Sequence, residues 1–135
     1  MTDGASDPND RIFVNEVEGL PPPFSPTSFA VRLRDMCWIS GQISSGSNGR
    51  YLPGEAAEEG ARAFDAIFRI AEAAGLSRAD IVYVDIAFQD LDDLTEINAL
   101  YARLFPEGRR PARTIYQAAR LPFGAKIKVQ AVAAR

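Results

Sequence analysis

The chain has 135 residues, 47% of them hydrophobic, which is enough for one compact core without a metal or disulfide staple. Its 15 basic and 18 acidic residues leave a formal charge of −3 with the signs interspersed, so there is no basic stripe to bind nucleic acid or an anionic membrane. One cysteine, Cys37, and no histidine at all exclude an internal disulfide, the usual zinc constellations and every Ser-His-Asp, Cys-His or His-based proton-transfer scheme.

Chemistry is left to Arg, Lys, carboxylates, Tyr, backbone and water, and no cofactor or metal is implied. Residues 1–10 are polar and acidic, with no apolar h-region, and read as a frayed tail ahead of a single domain over 11–135. No later segment approaches the ~18 uninterrupted apolar residues of a membrane span. With a single free cysteine, a reducing cytoplasm is the expected location.

In chain order, Arg11 to Val17 reads as a short edge strand, and the four prolines between Leu20 and Pro26 force a loop. Phe29, Val31 and Leu33 alternate with Ala30, Arg32 and Arg34; after a turn at Arg34-Asp35, Met36 to Ser40 returns antiparallel. Gly41 to Pro53 is a Ser/Gly loop. From Gly54 to Ala74 the period becomes helical: Ala61, Phe64, Phe68 and Ala71, joined by Ile67, form the apolar stripe. Glu58, Glu59, Arg62, Asp65, Arg69 and Glu72 fall mostly away from it, and Gly75 suits the C′ position. Ile81 to Phe88 reads as a central strand with Val82, Val84, Ile86 and Phe88 on one face and Tyr83, Asp85 and Ala87 on the other. Asp93 and Glu96 resemble a capping box before a second helix whose Leu94, Ile97, Tyr101 and Leu104 share a face, stopped by Pro106 and Gly108. Two strands close the chain, Ala112 to Ala118 and Ala125 to Ala133.

This order favours an α+β fold: a mixed sheet with both helices packed on one face. The other face, carrying Tyr83, Lys128, Gln130 and Arg113 as a further candidate, is semi-polar and most simply covered by other copies of the chain.

The segments Ser40-Gly41-Gln42-Ile43, Ala73-Ala74-Gly75-Leu76 and Asn98-Ala99-Leu100-Tyr101 with Phe105, together with Pro111-Ala112-Arg113-Thr114 and Ala119-Arg120-Leu121-Pro122, resemble the RidA (YjgF-type) enamine/imine deaminase family in order and spacing, from about Pro26 to Ala133. The resemblance implies a chorismate-mutase-like subunit in a barrel-centred homotrimer, helices outside, with ligand pockets at the subunit interfaces. It also implies hydrolytic deamination of a small enamine or imine acid such as 2-aminoacrylate.

Arg113 matches the family's carboxylate-binding arginine, and a planar guanidinium does offer two parallel donors to a carboxylate; the alternative for an anonymous Arg is a surface salt bridge. Arg120 reads as structural. Gly41 matches a pocket-lining position, although glycine after a strand is also an ordinary turn residue. The chain departs from the family pattern where Thr27 replaces an aromatic lid and Ile115 stands where many members carry Cys. Lys128 replaces the glutamate that handles the attacking water, with Gln130 at the next same-face position. A carboxylate can orient and deprotonate water; an ammonium cannot accept a proton unless burial and a nearby positive charge, which Arg113 could supply, lower its pKa, and beside Arg113 it would otherwise attract a ligand with two anionic groups. A solvated lysine at the edge of the last strand is the alternative. Cys37 in its apolar run reads as a small buried hydrophobe, Asn98 as a helix side chain bonded to a loop, and Tyr83, Tyr116 and Phe24 as core or interface aromatics, with a place at the pocket as the alternative.

The leading functional reading is a hydrolytic deaminase of a small enamine or imine carboxylic acid, 2-aminoacrylate-like or dianionic of the aminomuconate type. Arg113 and Lys128 would act at the reacting end, and Gly41, Thr27, Ile115 and Gln130 would line the site. The rivals are a non-catalytic keto-acid-binding trimer and a chaperone-like interaction protein; endoribonuclease chemistry is disfavoured by the acidic balance and the missing histidine.

Overall fold

The computed structural model describes residues 9–23 and 25–135; the rest of the expected tail, residues 1–8, and Phe24 lie outside the described residues. The chain runs β1 (Arg11–Val14), β2 (Ala30–Leu33), β3 (Met36–Gln42), α1 (Ala56–Ala73), β4 (Ile81–Phe88), α2 (Leu94–Leu104), β5 (Ala112–Gln117) and β6 (Ile127–Ala134). The strands form one six-stranded sheet in the order β1-β2-β3-β6-β4-β5, in which only β4 and β5 pair in parallel. Because β3 and β4 both run antiparallel to β6, the β3–α1–β4 connection leaves a gap that the last strand fills, and the α2 crossover adds β5 at the edge. Both crossovers lie over the same face, giving the mixed sheet with a single helical layer that the element order implied.

The core lies between this layer and the sheet. Phe64, Ile67 and Ile70 of α1, Ile97 of α2, and Ile86, Phe88, Ile127 and Val129 of the sheet are all 0% exposed. Phe64, Phe68, Tyr101 and Phe105 form a ring cluster with centroids 4.8–6.1 Å apart, several in edge-to-face contact. The helices can approach this closely because residue 60 is glycine: a Cβ there would stand 2.9 Å from both Ile97 Cδ1 and Leu100 Cδ2. Gly75, at φ 84, ends α1 as the glycine signal implied, with Leu76 N–H donating to Ala71 O and Gly75 N–H to Glu72 O.

Four sequence expectations are corrected. Ala61 is exposed, because the buried stripe of α1 is centred on Ala63, Phe64, Ile67 and Ile70. Glu59, expected on the solvent side, lies on that stripe and is fully buried. Val82 is 45% exposed because a register slip between Ile81 and Tyr83 against β6 inserts it as a bulge residue, which hands its core position to Ile81. Glu96 does not cap its own helix: its Oε1 accepts from Ala57 N–H at 2.8 Å and so caps the first turn of α1.

The open face of the sheet carries Lys128, Gln130 and Val132 from β6, together with Trp38 and Tyr83, both of which pair with Val132 across their strands. Among the described residues no helix is long and apolar enough to cross a membrane.

Candidate functional site

A cleft of about 490 Å³ opens where β3 and β6 meet, bounded by the proline-rich 19–29 loop, the 40–49 loop, the outer side of α1 and the turn at 122–124. Three of the residues singled out in the sequence line it: Thr27, Gly41 and Lys128. The local backbone explains how they meet. Against β6, Ile39 pairs with Ala131 but Gln42 pairs with Val129, so Ser40-Gly41 contains one extra residue and bulges. The Lys128 side chain lies directly over this bulge, where a Cβ on Gly41 would stand 2.5 Å from Lys128 Cε. What approaches Gly41 closely within this chain is therefore the lysine stem, which the missing Cβ lets lie flat against the backbone.

Gly41→Ala displaces that stem, and because the clashing atom belongs to the far end of a flexible side chain, the fold should tolerate it. Its expected result is a melting temperature within a few degrees of the natural protein, with affinity for an anionic ligand lowered severalfold. Thermal unfolding and calorimetry on the same sample check both halves.

The opposite wall is also basic but internally engaged. Arg62 Nη1 reaches Ser44 Oγ at 3.2 Å and Leu52 O at 3.3 Å, and Arg69 Nε pairs with Asp65 Oδ2 at 2.7 Å. Among the described residues no hydrogen bond or ion pair holds the Lys128 ammonium, which leaves its charge available to a ligand.

The other expected site residues are not in this cleft. Arg113 and Ile115 lie on β5, in register with Val84 and Ile86, and so face the helices rather than the open side. The Arg113 guanidinium sits 4.7 Å from the Tyr101 ring centroid on α2, so within one chain it does not share the cleft with Lys128. Their strands are two spacings apart, and the two residues are offset along them as well, Lys128 level with Ala87 and Arg113 with Val84, on opposite faces of the sheet. Gln130 is exposed on β6 and is not part of the cleft lining. Tyr83 lies on the open face and bonds Thr114 through its hydroxyl.

Two residues at or near the site were missed. Glu59 is buried behind the cleft, where its carboxylate accepts from Tyr51 O–H at 2.6 Å, Gly54 N–H at 3.2 Å and Lys126 N–H at 3.0 Å, two residues before Lys128. Burial and this carboxylate push the Tyr51 phenol up to about 12. The signal was present: a helical period running through Ala56, Ala63 and Ile70 passes through position 59. Phe123, at the rim, had no signal beyond its place after the Leu121-Pro122 pair. Cys37, fully buried as expected of a small hydrophobe, has its thiol pushed up to about 11 by burial and is no nucleophile at neutral pH.

The sheet order, the single helical layer and the cleft at the Gly41 bulge define a chorismate-mutase-like α+β protein with a cation-bearing site at the end of its central strand. Comparison with known proteins gives the family. The family model described as Endoribonuclease L-PSP matches residues 20–135. The 2-iminobutanoate/2-iminopropanoate deaminase of Escherichia coli strain K12 is 35% identical over 120 residues, covering 87% of this chain and 94% of that one. Among solved structures, the YjgF gene product of E. coli superposes with a TM-score of 0.82 at 34% identity, covering 90% of this chain and 97% of that one. TdcF of E. coli with bound serine does so at 0.82 and 31%, covering 89% and 96%. The chain belongs to this family, the RidA (YjgF-type) family that its motifs resemble.

Proposed function

We propose that this protein is a deaminase that hydrolyses a small enamine or imine carboxylic acid, and that its preferred substrate carries a second anionic group. The names of its deaminase relatives support the reaction class, and Lys128, whose stem lies across Gly41 and whose ammonium has no partner among the described residues, supports the second charge. In the reaction, water oxygen adds to the imine carbon and its protons pass to nitrogen; the C–N bond then breaks to leave a keto acid and ammonia. With Lys128 in the cleft, the protein supplies charge attraction there but no adjacent carboxylate to take the water proton.

The separation of Arg113 from the cleft fits a site completed between subunits. A second copy bringing its free β5 edge to the cleft would set Arg113 and Ile115 opposite Thr27, Gly41 and Lys128. The row of exposed Trp38 and half-buried Val132 and Tyr83 on the open face is the kind of surface that such assembly covers, and a homotrimer is the assembly proposed.

The test is kinetic. Hydrolysis of 2-aminoacrylate supplied by a coupled dehydratase is expected to be slow, and Lys128→Glu to raise it about tenfold or more by restoring a proton acceptor. A dicarboxylate ligand should bind the natural protein more tightly than the Glu variant, with the gap narrowing as salt increases. Rapid turnover by the natural protein that is lost on Lys128→Glu would make the lysine itself the reacting group. Keto-acid binding without ammonia release by either protein would leave a carboxylate-binding trimer.

A further inference from the structure

The arginine on the wall opposite Lys128 is held on one side only. Arg62 Nη1 donates to Ser44 Oγ at 3.2 Å and to Leu52 O at 3.3 Å, while Ser44 Oγ itself donates to Leu52 O at 2.7 Å. Ser44 is fully buried and Leu52 N–H donates to Ser44 O at 3.1 Å, so the acceptors that hold Arg62 belong to a closed, fixed stretch of loop. Both protons of Nη1 are thereby used. Nε and Nη2, the other edge of the guanidinium, have no partner among the described residues, and the half-buried side chain lines the cleft. That edge carries two parallel N–H bonds, the geometry that meets both oxygens of a carboxylate.

The neighbouring acids of α1 do not supply that carboxylate. Glu58 Oε1 accepts Glu55 N–H at 2.8 Å, Glu59 is enclosed by Tyr51, Gly54 and Lys126, and Asp65 Oδ2 pairs with Arg69 Nε at 2.7 Å. Arg62 and Lys128 also rest on the same stretch of backbone. The lysine stem lies on Gly41 and Arg62 is bonded at Ser44, three residues further on, which is at most about 11 Å of extended chain. Two cations fixed to one short segment, one of them with a bidentate edge unfilled, suit a small ligand whose far end is a second carboxylate.

We propose that Arg62 is a specificity residue of this cleft: its Nε–Nη2 edge takes the distal carboxylate of the substrate, with the Lys128 charge beside it. For the reaction, this rests on the deaminase reading. It deepens that reading by narrowing the substrate to a short-chain dicarboxylic imino or enamino acid and by naming the side chain that selects it.

The test uses the full chain and reads a ratio, the affinity for 2-oxoglutarate over that for 2-ketobutyrate, by calorimetry. Both acids present the same 2-keto carboxylate end, and only the first has a distal carboxylate. The natural protein is expected to favour 2-oxoglutarate about tenfold or more, and Arg62→Lys to lower that ratio about fivefold or more. Lysine keeps the charge and can still reach Ser44 and Leu52 but has no second donor edge, so affinity for 2-ketobutyrate and the melting temperature should stay close to those of the natural protein. Arg69→Gln removes an equal charge from the same wall, one already paired with Asp65, and should leave the ratio within about twofold. In the natural protein the Arg62 Nε–H resonance should move on adding 2-oxoglutarate and stay in place with 2-ketobutyrate, a measurement that needs no variant. Four outcomes would each overturn the proposal: no preference in the natural protein, an unchanged ratio in Arg62→Lys, equal weakening of both acids, or the same fall in Arg69→Gln. Equal weakening would make Arg62 a tie that holds the loop, and a matching fall in Arg69→Gln would make the attraction diffuse. Ammonia release is followed separately with the imines of 2-aminobutyrate and glutamate, made in place by amino-acid oxidases. A ratio that depends on Arg62 without ammonia release would sink the deaminase reading alone; ammonia release with a ratio indifferent to Arg62 would sink this proposal alone; a protein that binds neither acid would sink both.

Discussion

Arg113→Ala is expected to weaken binding of a 2-keto acid by about a hundredfold while leaving a folded protein. A bidentate guanidinium–carboxylate contact is charge-assisted at both bonds, and truncating one partner of such a desolvated pair costs on the order of 2–5 kcal/mol. The structure bears on the competing possibility that Arg113 is an ordinary surface ion pair: among the described residues no carboxylate pairs with it, and its guanidinium instead lies over the Tyr101 ring. Burial pushes the Tyr101 phenol up, against the opposing pull of the Arg113 and Arg110 charges, so the ring stays neutral and offers its face to the cation. Losing the stack should cost the fold only about 0.5–1 kcal/mol. Arg113→Lys keeps the charge but loses the fork, so it should recover little of the affinity. Calorimetry with 2-ketobutyrate, beside sedimentation equilibrium on the same variants, separates a binding loss from an assembly loss. Unchanged affinity in the Ala variant would remove Arg113 from the site.

Much of the fold was readable because hydrophobic period and turn chemistry agree over most of the chain. The Arg34-Asp35 hairpin, the Gly75 stop of α1 and the Ile81 to Phe88 strand all stand where the pattern placed them. Misreadings arose where a neighbouring element decides the outcome. The bulge at Val82 exists only relative to β6, so an uninterrupted alternation along β4 gives no hint of it. Glu96 looks like the cap of its own helix until α1 is seen to present a bare N–H beside it. The site shows the same division. Gly41 and Lys128 could be named as candidates from motif positions, but their contact depends on the bulge that turns Ser40-Gly41 toward β6. Arg113, a further candidate for the open face, stands on the helix side, because the face of an edge strand is set by its register with β4, which β5 alone does not encode.

Glu59→Ala is expected to lower stability by about 3–5 kcal/mol, the largest effect of any single truncation proposed for this protein. The carboxylate is completely enclosed and every contact it makes is with a donor: the Tyr51 hydroxyl, the Gly54 and Lys126 backbone amides and, at 3.6 Å, the Lys126 ammonium. The Lys126 side chain is 42% exposed and its ammonium also donates to Gly54 O at 2.7 Å, so its charge is largely screened and the ion pair itself is a minor part. The larger part is the donors left behind, since each buried group stripped of its acceptor costs on the order of 1–3 kcal/mol, and a side chain shortened to a methyl also leaves a void beside α1. Glu59→Gln should fall between, because one amide oxygen replaces an acceptor while the NH2 group is turned toward other donors. Thermal and denaturant unfolding give the ordering natural, Gln, Ala. Hydrogen exchange should show where the loss is concentrated, because Glu59 ties the 51–54 loop and the start of β6 to the first turn of α1. Loosening those ties should speed exchange at Lys126 and Lys128 before the centre of α1. An Ala variant within about 1 kcal/mol of the natural protein would mean that water takes over the three donors, and that the cavity behind the cleft is open to solvent.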